Sequence, residues 1–288
     1  MLFDLKDLSA AKKQYYLQSV IAPRPICFAS TIDKDGRVNL SPFSFFNMFS
    51  ANPPIVIFSP ARRVRDNTTK HTLQNVREVP EVVINIVTYD MVQQMSLSSC
   101  EFGKGVDEFT KAGFTKEKAT LVSPPMVKES KAKLECKVIE VKTLGEEGGA
   151  GNLVICEILC LHIDDSLLTE DDKLDPSKLE LVARLGGDWY CRISKENLFI
   201  VPKPNIKLGI GIDALPEDIR HSKYLTGNHL GMLANIENMP ICNLQFKDEF
   251  FSKNEMNLFK SEELIHKHAA DLLDANQLME AWQVLLMK

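Results

Sequence analysis

No stretch of this 288-residue chain is long and apolar enough to read as a membrane-spanning helix. The opening MLFDLKDLSAAKKQYY carries charge within its first few positions and has no apolar core ahead of a small-residue cleavage site, so no secretory signal is expected. Regular cysteine spacing is missing too. The seven cysteines are odd in number and scattered, which argues against a disulfide framework and for reduced thiols. Cytoplasm is the expected compartment. Excess positive charge is likewise absent: a formal net charge of −5 argues against a broad nucleic-acid or anionic-membrane surface, although a local basic cluster can still serve a small anion.

Complete phosphate-binding glycine motifs are also lacking. Gly209-Ile210-Gly211 has no third glycine and Gly103-Lys104-Gly105 is too short and wrongly spaced, so the first is assigned to a loop, the second to a turn, and no Rossmann domain is expected. Cys156 and Cys160 fall on a strand pattern, where they share a face as buried thiols rather than forming a metal claw. His266 and His268 point in different directions on a helix, which argues against a two-histidine site, and no metal is expected. There is no obvious catalytic triad, internal repeat or low-complexity tract.

What is present is an ordinary globular mixture, 44% apolar and 25% charged. Arg24 to Ser30, the Asp35-Gly36 turn and Arg37 to Phe46 read as a hairpin, with Ile55 to Phe58 a third strand after Asn52-Pro53-Pro54. Lys70 to Glu78 reads as a helix capped from Asp66-Asn67-Thr68-Thr69, and Val82 to Val87 as a strand. Asp90 to Ser99 reads as a helix with Met91, Met95 and Leu97 inward, and Ala132 to Leu144 with Leu153 to Ile163 as a second hairpin. Such strands, mostly hairpin-connected, indicate a closed or partly closed antiparallel barrel with helical decoration. After Arg192 the character changes. Val201-Pro202-Lys203-Pro204 and Asp213-Ala214-Leu215-Pro216 are loop signals, and Ser261 to Met287 has the periodicity of one long amphipathic helix with a packing stripe from Leu272 to Leu286. Two domains are expected, 1–195 and 196–288.

Ser41 to Phe46 mixes hydroxyls and phenylalanines. As a regular strand it sends Ser41, Phe43 and Phe45 to one side and Pro42, Ser44 and Phe46 to the other, and Pro42 is expected to bend or bulge it. Such a surface suits a flat heteroaromatic ligand, whose faces want apolar cover and whose edge wants hydrogen bonds; it equally suits an edge strand whose polar face meets water. Further on, Arg62-Arg63-Val64-Arg65 and Thr68-Thr69-Lys70-His71-Thr72 gather cations and hydroxyls at a helix start, a favourable place for phosphate unless Asp66 caps the helix itself.

The succession Arg24-Pro25-Ile26, Asn39-Leu40-Ser41-Pro42-Phe43-Ser44-Phe45-Phe46-Asn47, Lys70-His71-Thr72-Leu73-Gln74-Asn75, Leu134-Glu135-Cys136 and Arg184-Leu185-Gly186-Gly187-Asp188-Trp189-Tyr190 resembles the flavin reductase-like family of FMN-binding split barrels. The likeness spans roughly the first two thirds of the chain. It implies a mainly β split barrel, here with a C-terminal helical extension, acting as a homodimer with FMN near the subunit interface. It also implies an oxidoreductase that takes electrons from NADH or NADPH and passes them to free flavin, another small acceptor or a partner monooxygenase. The alternative is a non-catalytic FMN protein for storage, sensing or electron-transfer assembly; a barrel holding another ligand, such as pyridoxal phosphate or haem, is a third reading. The cofactor residues the resemblance implies are Arg24, Thr31, Ser41, Phe43, Ser44, Phe46, Asn47, Arg65, Lys70, Thr72 and Tyr190. His71 departs from the common Lys-Asp-Thr pattern and is given no ligand contact. No protein acid or base is expected, because the flavin carries the redox step. The C-terminal stretch containing Leu225-Thr226-Gly227-Asn228-His229-Leu230-Gly231 is a candidate cover for the flavin.

Overall fold

The computed structural model describes residues 1–203, 207–243, 245–246 and 261–287; Pro204, within one of the loop signals, lies outside them. Met1–Phe199 and Ile200–Lys288 form two compact units.

The first unit begins with α1 (Ala10–Val20), β1 (Cys27–Ile32), β2 (Val38–Phe43), β3 (Phe46–Ala51) and β4 (Pro54–Phe58). Then come α2 (His71–Glu78), β5 (Glu81–Ile86), α3 (Val92–Leu97), α4 (Glu108–Ala112) and a short pair, β6 (Lys116–Glu117) with β7 (Met126–Val127). The long strands β8 (Ala132–Thr143) and β9 (Asn152–Ile163) follow, then the small hairpin β10 (Val182–Arg184) and β11 (Tyr190–Arg192).

Seven strands form one antiparallel sheet in the order β2-β1-β5-β8-β9-β4-β3. Its two edge strands, β2 and β3, are consecutive in sequence and separated only by Ser44 and Phe45. Three residue steps span at most about 11 Å, so the sheet must curl until its edges meet at this corner. A barrel follows from that connection.

Alternation along β1 shows why the barrel holds. Cys27 and Ala29 enter one core with Phe43, Phe58, Leu73, Ile84 and Val154, while Phe28 points to a second core with Leu40, Met91, Met95, Phe109 and Phe114. The first core is closed by α2 and the second by α3 and α4. Leu97, expected inward, is 48% exposed, because α3 ends there and only Met95 of that helix is buried.

One local expectation is corrected. Pro42 pairs with Phe28 in unbroken register; it lies on an edge strand, where one side of the backbone has no ladder to join. The skips in register fall instead at Phe49, Ile139 and Leu159, each the extra residue of a bulge and each exposed. In the Asp33–Arg37 turn only Gly36, φ 79°, takes the left-handed backbone, while Asp33 Oδ1 accepts the Asp35 and Arg37 N–H groups.

The second unit contains α5 (Glu217–Arg220), α6 (Gly227–Ala234), α7 (Glu262–Asp274) and α8 (Leu278–Leu285) around a core that includes Leu233, Ala269, Leu273 and Trp282. The single long helix expected over Ser261 to Met287 is therefore two helices. Asn276, φ 58°, breaks it: its N–H donates to Leu273 O and the Gln277 N–H to Leu272 O, a Schellman ending. The Leu225 to Gly231 stretch starts α6, where Thr226 and His229 cap one another's backbone.

Candidate functional site

The helix α2 starts without a side-chain cap. Its N-cap residue is Lys70, which makes no capping hydrogen bond. Asp66 is engaged elsewhere: Oδ1 accepts from Thr68 N (3.0 Å) and Thr68 Oγ1 (2.6 Å). Those hydrogen bonds, the Thr68 hydroxyl first, hold the Asp66 carboxyl down to about 2. The expected carboxylate cap is thus absent, and the first-turn amides of α2 face a recess lined by Ser41, Arg63, Lys70, Thr72 and Ser98.

Electrostatics in this recess favour an anion. Burial, then the neighbouring Arg63, lowers the Lys70 ammonium from its ordinary range, and burial followed by Arg63 and two lysines lowers His71. Two acids also line it, but both are occupied. Glu108, raised by burial, accepts from Asn39 Nδ2 (2.9 Å) and Leu40 N (3.0 Å). Glu101 receives Arg63 Nε (2.9 Å) and Arg65 Nη2 (2.6 Å), and Arg65 above all holds its carboxyl low. The free recess is about 20 Å³, space for about one water. A phosphate has no room inside it, and an anion reaching the arginines has to displace Glu101.

A larger cavity of about 320 Å³ is lined in part by residues next in sequence to two that line the recess. Pro42 and Phe43 follow Ser41 on β2 and Ser44 comes just after it, while Ser96 and Ser99 flank Ser98 at the end of α3. Tyr190 closes another side with the Arg184 guanidinium 4.6 Å from its ring centroid. Apolar faces and several hydroxyls meet in a volume at the lower end of the roughly 300–1,000 Å³ usual for small-molecule pockets. A third cavity, about 770 Å³, runs between α1 and the 61–65 loop and shares Arg63 and Glu101 with the recess.

Of the residues expected from the sequence, Ser41, Lys70 and Thr72 line the recess, and Phe43, Ser44 and Tyr190 line the 320 Å³ cavity. Phe46 packs against the barrel core, and exposed Asn47 accepts the Met48 N–H. Thr31 is buried under α2 and accepts from Asn75 Nδ2 at 3.1 Å, so it lines neither smaller cavity. Arg24 donates to the carbonyls of Gln18, Ile21 and Leu185, fastening the end of α1 to the loop after β10. Arg65 is 69% exposed and reaches the recess only through Glu101. The list of cofactor residues drawn from the sequence omitted Arg63, Ser96, Ser98, Ser99 and Arg184. The hydroxyl run Ser96-Leu97-Ser98-Ser99 was the available signal, but only the fold carries it to β2. Cys156 is buried as expected; Cys160 is half-buried, with Sγ 3.7 Å from His162 Nε2.

The first unit is a curled antiparallel sheet with a small cation-rich recess and a larger cavity of rings and hydroxyls near its edge strand β2. Residues 20–177 match the Flavin reductase like domain, and the chain belongs to that family. An uncharacterized protein of Aquifex aeolicus is 34% identical over 67% of this chain and 95% of its own length. Among solved structures, nitrilotriacetate monooxygenase component B from Bacillus cereus superposes with a TM-score of 0.65 at 25% identity, covering 70% of this chain and 98% of that one. A candidate flavin reductase with a split barrel domain from Shewanella frigidimarina gives a TM-score of 0.60 at 27% identity, covering 70% and 99%. The fold is a flavin reductase-like split barrel with a C-terminal helical extension, and at family level the chain is a flavin-related oxidoreductase.

Proposed function

We propose that the chain binds FMN and uses NADH or NADPH to reduce it, passing the electrons to a small acceptor or a partner monooxygenase. The observation that carries this reading is the uncapped, cation-rich start of α2 beside Ser41, whose neighbours Pro42, Phe43 and Ser44 line a cavity of rings and hydroxyls. Bound there, the flavin supplies the hydride and electron chemistry, which needs no protein acid or base. The chain's own part is positioning. Lys70, Arg63 and the α2 amides hold the phosphate; Pro42, Phe43 and Met95 cover ring faces; Ser44, Ser96 and Ser99 address the polar edge. The wider cavity beside α1, with Leu17 and Ile21 on one wall and Arg62, Arg63 and Arg65 on another, offers the apolar and basic groups a nicotinamide dinucleotide requires.

Likeness to a monooxygenase component B supports a partner enzyme as acceptor. A homodimer is supported by the exposed apolar residues Phe49, Ile139, Leu159 and Leu161 on β3, β8 and β9. Seven free cysteines fit the cytoplasm, and no described helix is long and apolar enough to cross a membrane.

Anaerobic addition of NADH or NADPH to the purified yellow protein tests the activity. Rapid loss of the oxidised-flavin band near about 450 nm is expected; unchanged absorbance with both nucleotides would make the chain a flavin carrier rather than a reductase. Lys70→Glu should weaken FMN retention about 10- to 100-fold, the loss of one charge-assisted hydrogen bond, and Ser44→Trp should fill the cavity. Retention unchanged in both variants would displace the site.

A further inference from the structure

In the second unit, α7 begins at Glu262 and places His266 one turn later, so their side chains share a face. The short α5 brings Asp218 to the same spot. Asp218 Oδ2 and Glu262 Oε1 each lie 4.0 Å from His266 Nε2, and the ligating atoms of all three fall within 4.8 Å of one another. His266 is 2% exposed, yet its Nε2 has no hydrogen-bond partner among the described residues. The other ring nitrogen, Nδ1, stands 2.8 Å from Ser222 Oγ, which fixes the ring plane.

A buried imidazole nitrogen without a partner is costly, and 4.0 Å is too long for a hydrogen bond to either carboxylate. The spacing does suit atoms gathered around a common ion. Ligands bonded at about 2.0–2.2 Å to one metal stand no more than about 4.4 Å apart, and both carboxylate separations from His266 Nε2, 4.0 Å each, lie inside that limit. Ser222 Oγ pairs with Nδ1 and leaves Nε2 facing the two carboxylates; metal binding takes the tautomer with its hydrogen on Nδ1, the arrangement in which a hydroxyl behind the ring orients a metal-binding histidine.

We propose that Asp218, Glu262 and His266 form a binding site for a divalent first-row transition ion of the zinc type. One imidazole and two carboxylates make a mixed nitrogen–oxygen set, which favours zinc over the all-oxygen environments chosen by calcium and magnesium. Asp218 and Glu262 are 33% and 59% exposed, so water completes the coordination and the ion enters from solvent. Once bound, it ties α5 to α7 and stabilises the helical unit. A search for paired histidines overlooks this site, because it uses His266 alone and takes its second helical ligand four residues earlier.

The test uses the full chain, stripped of metal, with Cys160→Ser and His162→Gln introduced so that the separate Glu135, Cys160 and His162 cluster of the barrel contributes nothing. Zinc is titrated against a chromophoric chelator, with thermal unfolding followed in parallel. Expected are equimolar zinc binding, preference over calcium and magnesium, and a zinc-dependent rise in Tm. Glu262→Gln, at an exposed position, should reduce zinc affinity at least about tenfold and abolish the Tm rise; Asp218→Asn should act in the same direction. Zinc binding no tighter than calcium binding, or unaltered affinity in Glu262→Gln, overturns the proposal. Neither result bears on flavin binding, which concerns the other unit.

Discussion

Glu101 occupies the place of an anion's charge, its carboxylate shared between Arg63 Nε and Arg65 Nη2. Removing that competitor should help a phosphate. Glu101→Gln is expected to tighten FMN binding roughly 2- to 10-fold, the scale of an exposed ion pair, measured by fluorescence titration of the flavin-free protein; weaker binding would mean that Glu101 organises the arginines instead. His71 gives a pH signature. Its folded-state pKa is lowered from the ordinary 6.5, first by burial and then by Arg63. Between the two pKa values the unfolded chain binds more protons, so the His71 contribution makes stability fall as pH drops below 6.5 towards the folded value. Thermal unfolding of His71→Gln should show a flatter profile across that window than the parent, and an equal slope in both would remove His71 as a source. Lys70 and Thr72 stand out in the sequence because cations and hydroxyls sit together beside a helix start, and Ser41 because hydroxyls and rings mix along its strand; all three line the recess. Thr31 shows the limit of that reading: its hydroxyl is satisfied by Asn75, a partner supplied by α2 packing.

Asn276 shows how one residue divides an element. Apolar periodicity continues across it, which is why the sequence reads as one helix, but the left-handed backbone at φ 58° ends α7 and redirects the chain into α8. Asn276→Ile should lower stability by about 1–2 kcal/mol, the cost of that backbone for a β-branched residue, while Asn276→Gly should leave denaturant unfolding nearly unchanged. Equal effects would show that side-chain contacts, rather than backbone conformation, decide the break. The strands were easier to read. Alternation and turn residues mark β1, β2, β8 and β9, whereas the bulges at Phe49, Ile139 and Leu159 depend on register with a neighbour and leave no local signal.

At the scale of the whole molecule, those bulges place three apolar side chains on the outside of the sheet, Phe49 being 64%, Ile139 56% and Leu159 43% exposed. The proposed homodimer would bury them against a second copy. Leu159→Asp should shift the protein from dimer to monomer in light scattering and weaken flavin retention if the partner helps enclose the cofactor; an unchanged mass would place the dimer contact elsewhere. Barrel and helical extension were both readable from strand grouping and the change of composition after Arg192, but the curl of the sheet rests on the two-residue link between its edge strands. The central claim is that the recess at α2 and the cavity along β2 together hold FMN. Its most direct test is mass spectrometry of the small molecule released when the purified chain is denatured. The account predicts FMN in near-equal amount to the chain, and release of haem, pyridoxal phosphate or no flavin at all would contradict it.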